Sequence, residues 1–306
     1  MGRTQNLFIA SANLQMMYPD VQNLRPERRF RITRVGVKNV IKPIFVKRGD
    51  KTITLVTTID IYVDLPPSKK GSDMSRNIEV ISEIVEESVS KPCRGIENLA
   101  SRIVRKVKER HEYATYAEVN LHADYFLERK TPLGKKTIER YGLLGRAKID
   151  ENGVKKMVGV EVIGMTACPC AMETVRAIMK EKYGEHLIEK IPVPTHNQRN
   201  IATVMLEIPE GYEIEANDLI DIIEDSMSSP TYEILKRKDE GEVVLRAHEN
   251  PKFVEDVVRE ILHRIVEKYS ELPDDVLVVV RSESEESIHK HNAFAERITT
   301  LGELRK

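Results

Sequence analysis

Thr52-Ile53-Thr54-Leu55-Val56-Thr57-Thr58-Ile59-Asp60-Ile61-Tyr62-Val63 is the stretch that decides the fold. Ile53, Leu55, Thr57, Ile59, Ile61 and Val63 alternate with Thr54, Thr58 and Asp60, the period-two pattern of a strand with one face buried and one face wet. Such a strand belongs to an antiparallel sheet whose inner face is covered by helices. Upstream, Arg29 to Asn39 also reads as a strand. Downstream, the turn-rich run Leu65-Pro66-Pro67-Ser68-Lys69-Lys70-Gly71 gives way to two helical patterns. One carries Ile78, Ile81, Ile84, Val85 and Val89. The other carries Ile96, Leu99, Ala100, Ile103, Val104 and Val107. Tyr113 to Leu127 and Lys136 to Lys148 then form an antiparallel pair.

The second half repeats this grammar. Lys155 to Met165 is a strand, Ala171 to Lys182 a helix, Ile201 to Ile208 a strand and Asp218 to Met227 a helix. Asn250-Pro251 reads as a helix start, with Asn at the cap and Pro in the first turn. It leads into Phe253, Val254, Val257, Val258, Ile261, Leu262 and Ile265, and Asp275 to Arg281 closes as a strand. The expectation is an α+β protein of two tandem antiparallel-sheet plus helix modules. An N-terminal arm occupies residues 1–28, the first module 29–150, and the second, with most of the chemistry, 151–306. Sheets covered on one face leave a second face and edges that invite copies of the same chain.

The chain has 306 residues, 41% of them hydrophobic, enough for a substantial core, and a formal net charge of −1. That charge, with no interleaving of basic and aromatic residues, argues against nucleic acid and against an anionic membrane surface. No apolar run has the length of a membrane span. Met1 to Asn13 lacks the apolar core of a secretory signal, which leads to the expectation of a cytoplasmic protein with reduced thiols.

Three cysteines are too few for a disulfide framework. Two of them stand at Cys168 and Cys170, around Pro169. If the segment is extended, both thiols face one side; the helix that follows offers an N-terminal field that favours a thiolate. Buried cysteines also serve as small apolar residues, the role expected of Cys93. Paired C-x-x-C spacings are absent, so a zinc finger is not indicated.

Other polar groups qualify the cysteines. Pro194-Thr195-His196-Asn197-Gln198-Arg199 precedes an apolar strand and would ordinarily be a plain loop. Leu235-Lys236-Arg237-Lys238-Asp239-Glu240 reads first as a solvated charged turn. Glu255 grazes the apolar stripe of its helix, either as an edge residue or as a buried anchor. In Glu285-Glu286-Ser287-Ile288-His289-Lys290-His291-Asn292, Glu286 and His289 share a face if the run is helical, and His289 and His291 share one if it is extended. Cysteine, histidine and glutamate together are the donors of a mononuclear Zn²⁺ or Fe²⁺ site with an open position.

Taken in order, Cys168-Pro169-Cys170, His196-Asn197-Gln198-Arg199, Leu235-Lys236-Arg237-x-Asp239-Glu240, Asn250-Pro251-Lys252-Phe253-Val254-Glu255-Asp256 and Glu286-Ser287-Ile288-His289-x-His291 resemble the type IB GTP cyclohydrolases. Pro19-Asp20-Val21-Gln22 and Met74-Ser75-Arg76 resemble that family's N-terminal motifs, so the likeness spans nearly the whole chain. Ala171-Met172 stands where bacterial members carry Ser-Lys, and Tyr183 to Pro194 looks like an insertion. Both departures resemble the archaeal branch, associated with Fe²⁺ and a cyclic-phosphate pterin.

The resemblance implies the tunnelling fold (T-fold) and a homotetramer with sites between subunits. The implied reaction opens the guanine imidazole ring of GTP, releases C8 as formate and forms a 7,8-dihydroneopterin phosphate, expected as the 2′,3′-cyclic phosphate, on the way to tetrahydromethanopterin. One divalent metal per subunit is implied, Fe²⁺ first, with Zn²⁺ or Mn²⁺ as alternatives. Its implied ligands are Cys168, Glu240 and His289, with Glu286 a further ligand or the residue that orients His289. His196 is implied as general acid and base, and Glu255 as acceptor for the guanine N–H groups. Arg76 and Arg199 are the candidates for the phosphates, while Cys170 and His291 have no assigned role. Two rivals compete: a T-fold purine or pterin enzyme with a cysteine nucleophile, which would not need Glu240 and Glu286, and a metal-binding oligomeric protein without catalysis, which would tolerate loss of His196.

Overall fold

The computed structural model describes residues 19–48, 51–188 and 191–306. Most of the N-terminal arm and two positions of the Tyr183–Pro194 insertion therefore lie outside the described residues. A short 3-10 turn, Val21–Asn23, precedes the first strand. In the first half come β1 (Ile32–Arg48), β2 (Lys51–Leu65), α1 (Met74–Ser90), β3 (Cys93–Arg94), α2 (Ile96–Arg110), β4 (Ala117–Lys130) and β5 (Lys136–Asp150). The second half opens with β6 (Gly153–Ala167), α3 (Pro169–Tyr183), α4 (Glu185–Ile188) and β7 (Asn197–Glu207). It continues with α5 (Ala216–Ser226), β8 (Ser229–Pro230), α6 (Arg237–Glu249), α7 (Val254–Lys268), β9 (Leu277–Glu285), β10 (Ala293–Thr300) and α8 (Leu301–Leu304).

The strands form one 10-stranded mixed sheet in the order β10-β9-β7-β6-β5-β4-β2-β1-β3, with β8 paired to β6. All long pairings are antiparallel, and the short β1–β3 pair is parallel. The boundary expected at residue 150 falls in the tight turn that joins β5 to β6, where Asp150 pairs with Gly153. Sheet and core run across it: one apolar cluster extends from Ile44 to Leu301.

Helices α1, α2, α5 and α7 pack against the sheet and share its core. In α2, Ile96, Leu99, Ala100, Ile103, Val104 and Val107 are buried, and in α7 so are Val254, Val257, Val258, Ile261, Leu262 and Ile265. Both sets follow the three-and-four spacing that puts one stripe against a sheet. Each large apolar side chain so buried contributes about 1.5–3 kcal/mol. Gly145 in β5 lets α2 sit close, since a Cβ there would lie 2.9 Å from the Ile96 carbonyl oxygen.

Several local expectations need correction. β1 runs on past Asn39 to Arg48. Asn39 takes a φ of 59° at an irregularity in the register, and Pro43, which interrupts the sequence pattern, pairs with Val56 on a strand that is nearly an edge. Asn250-Pro251 does not start α7. Asn250 closes α6 instead, its Nδ2 donating to the Met227 carbonyl at 3.1 Å. α7 begins three residues later, where the Asp256 carboxylate accepts from the Phe253 N–H at 3.1 Å and supplies the cap. The charged run at Arg237 is the first turn of α6, not a turn alone. β10 has weak alternation, and the sequence pattern does not disclose it. In the inserted stretch, Ile188 and Val193 pack with Met172 in a small separate cluster.

Candidate metal centre

The ends of β6, β7 and β9 meet the start of α7 at one rim of the sheet, and backbone hydrogen bonds stitch them together. The Cys168 N–H donates to the His196 carbonyl at 3.0 Å, and the Lys252 N–H donates to the Ala167 carbonyl at 3.0 Å. The Thr195 hydroxyl donates to the Cys168 carbonyl at 2.7 Å. These bonds bound a cavity of about 260 Å³. Cys168 enters it from β6, His196 and Gln198 from β7, and Glu255 from the first turn of α7. Glu286, His289 and His291 come from the connection between β9 and β10.

Cys168 is the residue that caps α3, and its Sγ accepts from the Ala171 N–H at 3.4 Å. Pro169 takes the first helical position, which needs no N–H. The segment is therefore turning into a helix rather than extended through Cys170. That separates the two thiols: Cys168 faces the cavity, whereas Cys170 is exposed on α3 and does not line it.

His196, Glu286 and His289 each bring a ligand atom within 4.8 Å of the others. His196 Nδ1 lies 3.6 Å from Glu286 Oε2 and 2.9 Å from Gln198 Oε1. Gln198 is in turn oriented by its Nε2, which donates to the Thr166 hydroxyl at 3.3 Å. An amide oxygen only accepts, so Nδ1 carries the proton and Nε2 presents its lone pair. The His289 ring stands edge-on to His196 at 6.0 Å and stacks on His291 at 5.2 Å. The close group is His196, Glu286 and His289, and Cys168 lines the same cavity outside it; nitrogen, carboxylate and thiol donors are the types that suit Zn²⁺ or Fe²⁺.

Beneath this cluster runs a buried polar layer that the sequence reading left without a role. Thr166 and Ser284 share a hydrogen bond at 3.1 Å. Asn200 donates to Ser282 and Ser284 at 2.9 and 2.8 Å. Each of these side chains sits at an inward position of its strand, where the alternation calls for an apolar residue. That mismatch is the signal by which the sequence would have disclosed them. Lys252 is half-buried, which lowers its pKa, and its Nζ donates to the Ser226 carbonyl at 3.1 Å. Phe253 and Phe294 are exposed at the cavity mouth and offer aromatic faces to a planar ring.

Three other expected residues lie elsewhere within the chain. Glu240 is exposed in the first turn of α6, beside Asp239, whose carboxylate accepts from the Leu133 N–H at 3.0 Å. The far end of α6 nears the cavity, with His248 Nε2 3.3 Å from the Thr195 carbonyl, but roughly 12 Å of helix separates His248 from Glu240. Arg199 is exposed on β7 at a position that alternates with inward Gln198 and Asn200. Arg76 belongs to α1, donating to the Arg110 carbonyl at 2.6 Å.

A sequence model of the family described as "Type I GTP cyclohydrolase folE2" matches residues 18–295. The chain is 48% identical to "GTP cyclohydrolase MptA" of Methanococcus maripaludis, over 95% of this chain and 98% of the relative. It is 46% identical to the protein of the same name from Methanocaldococcus jannaschii, over 94% and 96%. To that from Methanococcus aeolicus it is 45% identical, over 94% and 99%. Among solved structures, a uricase from Bacillus fastidious aligns with a TM-score of 0.46 and 9% identity, covering 90% of this chain and 96% of the other, too distant to carry an argument.

Proposed function

The chain belongs to the type I GTP cyclohydrolase family, and on that premise we propose that it is an iron-dependent enzyme of the type IB, archaeal kind with the T-fold. It is a GTP cyclohydrolase of pterin biosynthesis. It opens the guanine imidazole ring, releases C8 as formate and recloses the skeleton as 7,8-dihydroneopterin 2′,3′-cyclic phosphate, the other two phosphates leaving as diphosphate.

The observation that carries this reading is the convergence of Cys168, Glu286, His289 and His196 on one cavity, with Glu255 on its wall. Cys168, Glu286 and His289 would hold one divalent ion per chain, Fe²⁺ in preference, with Zn²⁺ or Mn²⁺ as substitutes. When bound, the ion supplies the Lewis acidity that makes water nucleophilic near neutral pH. His196, with Nδ1 held by Gln198, uses Nε2 to take and return protons at the ring nitrogens during opening and reclosure. Glu255 accepts two parallel hydrogen bonds from the adjacent N–H groups of guanine, which sets the ring in register. Phe253 and Phe294 flank that ring. His291 stacks on His289 and steadies it.

Glu240, Arg199 and Arg76 lie outside this cavity within one chain, so their part as ligand and phosphate contacts requires assembly. A homotetramer would deliver Glu240 to a neighbour's ion and the arginines to a neighbour's phosphates. Cys170 is left without a part.

The test is an anaerobic preparation loaded with Fe²⁺ and given GTP, assayed for formate and for the fluorescent oxidised pterin. Both products are expected, in equal amounts. Cys168→Ala should lose them together with the bound iron. Tight GTP binding without ring opening under Fe²⁺, Zn²⁺ or Mn²⁺ would sink the reading and leave a binding protein. Turnover that needs Cys168 but persists in Glu286→Gln without metal would point to a thiol nucleophile instead.

A further inference from the structure

The two halves of the sheet build the same corner twice. α2 and α7 are both 15 residues long, and their buried apolar residues stand at the same steps from the helix start. Glu97 and Glu255 are each the second residue of their helix. The cavity at Glu255 lies between the end of β6, the start of β7 and the first turn of α7. A second cavity, of about 440 Å³, lies in the matching place in the first half. Its walls are the end of β1 at Val46 and Lys47, the start of β2 at Ile53, and the segment from Arg94 to Asn98 that opens α2.

The second corner keeps the carboxylate and loses the metal donors. Where the first presents Cys168, Gln198 and the His289 cluster, this one presents Val46, Ile53, Leu143 and Val158. Its remaining wall is the segment from Glu213 to Ala216, contributed by the other half of the same chain, so one chain completes it.

The carboxylate is held with some care. Glu97 is only 7% exposed; burial raises its pKa and so disfavours the charged form, a cost that N–H donors to its oxygens offset. Asn98 Nδ2 donates to Oε1 at 2.7 Å, and Asn98 is itself oriented by Lys156 Nζ, 2.7 Å from Oδ1. Gly95 has a φ of +77°, and a Cβ there would come within 2.3 Å of Glu97 Oε2. Glycine at that position leaves the carboxylate its room. Lys47 and Arg94 stand exposed at the rim, Arg94 with Glu213 at 3.9 Å.

A buried carboxylate at the end of a slot is matched by a flat ligand with two adjacent N–H groups, which meet both oxygens in parallel. The exposed lining is more polar than apolar, with Val46, Ile53, Leu143 and Val158 supplying the apolar patches for the faces of such a ring, and the volume falls in the ~300–1,000 Å³ range of small-molecule sites. We propose that this cavity is a second, non-catalytic binding site for the 2-amino-pyrimidinone edge shared by guanine and pterins, with Glu97 as its acceptor. The choice of ring rests on the reading of Glu255 as the guanine acceptor. Lacking metal donors, the site binds the heterocycle and leaves it intact.

Equilibrium dialysis of the full-length protein against neopterin, and separately against guanosine, tests this and tells which ring is preferred. Two sites per chain are expected for at least one of the two. Glu97→Gln should weaken one site tenfold or more while GTP turnover at saturating substrate is unchanged; Glu255→Gln should weaken the other and lose turnover. Ile53→Trp, which fills the slot from the opposite wall, guards against misfolding of the Glu97 variant and should also remove one site. A single site, indifferent to Glu97→Gln and Ile53→Trp but lost in Glu255→Gln, would overturn the proposal and leave the catalytic reading standing. Two sites in a protein that never opens GTP would overturn the catalytic reading and leave this one.

Discussion

His196 shows how a short distance assigns a role. Its Nδ1 is committed to Gln198 at 2.9 Å, and Gln198 is fixed by Thr166. A side chain with one nitrogen tethered and the other bare can move a proton without losing its aim. His196→Asn should therefore lower kcat by about 10²–10⁴ while leaving the affinity for GTP within a few-fold, since general acid–base catalysis is worth that much. A pre-steady-state assay of formate beside a binding titration separates the two. Gln198→Leu should weaken kcat less and shift the pH profile of turnover, because it frees the tautomer rather than removing the base. Donor types and their order, read through the family resemblance, pointed to Cys168, His196, Glu286 and His289, which line the cavity, and to Glu240, which does not. Their support was not legible in the sequence. Asn200, Ser282 and Ser284 sit at inward strand positions and look like flaws in an apolar pattern until Thr166 and Gln198 are seen above them. Cys170 misled because one residue of helix turns a side chain by about 100°, so the extended geometry fails at Pro169.

At the scale of the element, helices α1, α2 and α7 and strands β2 and β6 follow from periodicity alone, because each buries one regular face. The start of α7 does not, since Asp256 caps it from inside the helix and outcompetes Asn250. β1 was legible only as far as Asn39, where a left-handed residue breaks the alternation without ending the strand. The join between α1 and α2 carries a titratable lock. His111 closes α2, with Nε2 2.9 Å from Asn77 Oδ1 and Nδ1 3.0 Å from the Tyr113 hydroxyl. Burial, aided by the Arg76 charge, pushes its pKa down from 6.5 to about 4. Between those values the unfolded chain takes up a proton that the folded one refuses, so stability falls as pH drops through this window. The loss is on the order of 3 kcal/mol by pH 4. Urea unfolding at pH 7, 6 and 5 should show the decline, and His111→Gln should flatten it. An unchanged midpoint between pH 7 and 5 would mean that the imidazole is charged in the native state.

At the scale of the whole molecule, helices cover one face of the sheet and, among the described residues, leave the other bare. On the bare face Ile41 and Val56 are exposed diagonal neighbours across β1 and β2, as are Phe126 and Ile138 across β4 and β5. Apolar pairs spread along an uncovered sheet mark an interaction surface. β10 ends the sheet with an unpaired edge at one side, and at the other β3 covers β1 only at Val46 and Lys47. If copies assemble through this surface, light scattering should give four chains per particle. Phe126→Glu combined with Ile138→Glu should then reduce the particle and abolish turnover, with secondary structure retained. A monomer with full turnover would remove Glu240 and both arginines from the site. The α+β class was legible in the sequence. The single sheet was not, because nothing in the pattern of strands says whether β5 pairs with β6 or with another copy.

The tight turn between β5 and β6 also bears on how the chain is made. A ribosome delivers about 5–20 residues per second. The 15 residues of β6 therefore follow β5 within seconds, which favours pairing within the chain over pairing with a copy at this strand. β10 is the last strand in chain order, so the edge it forms is completed after the strands inside it, while the β1 edge at the other side is present from the start.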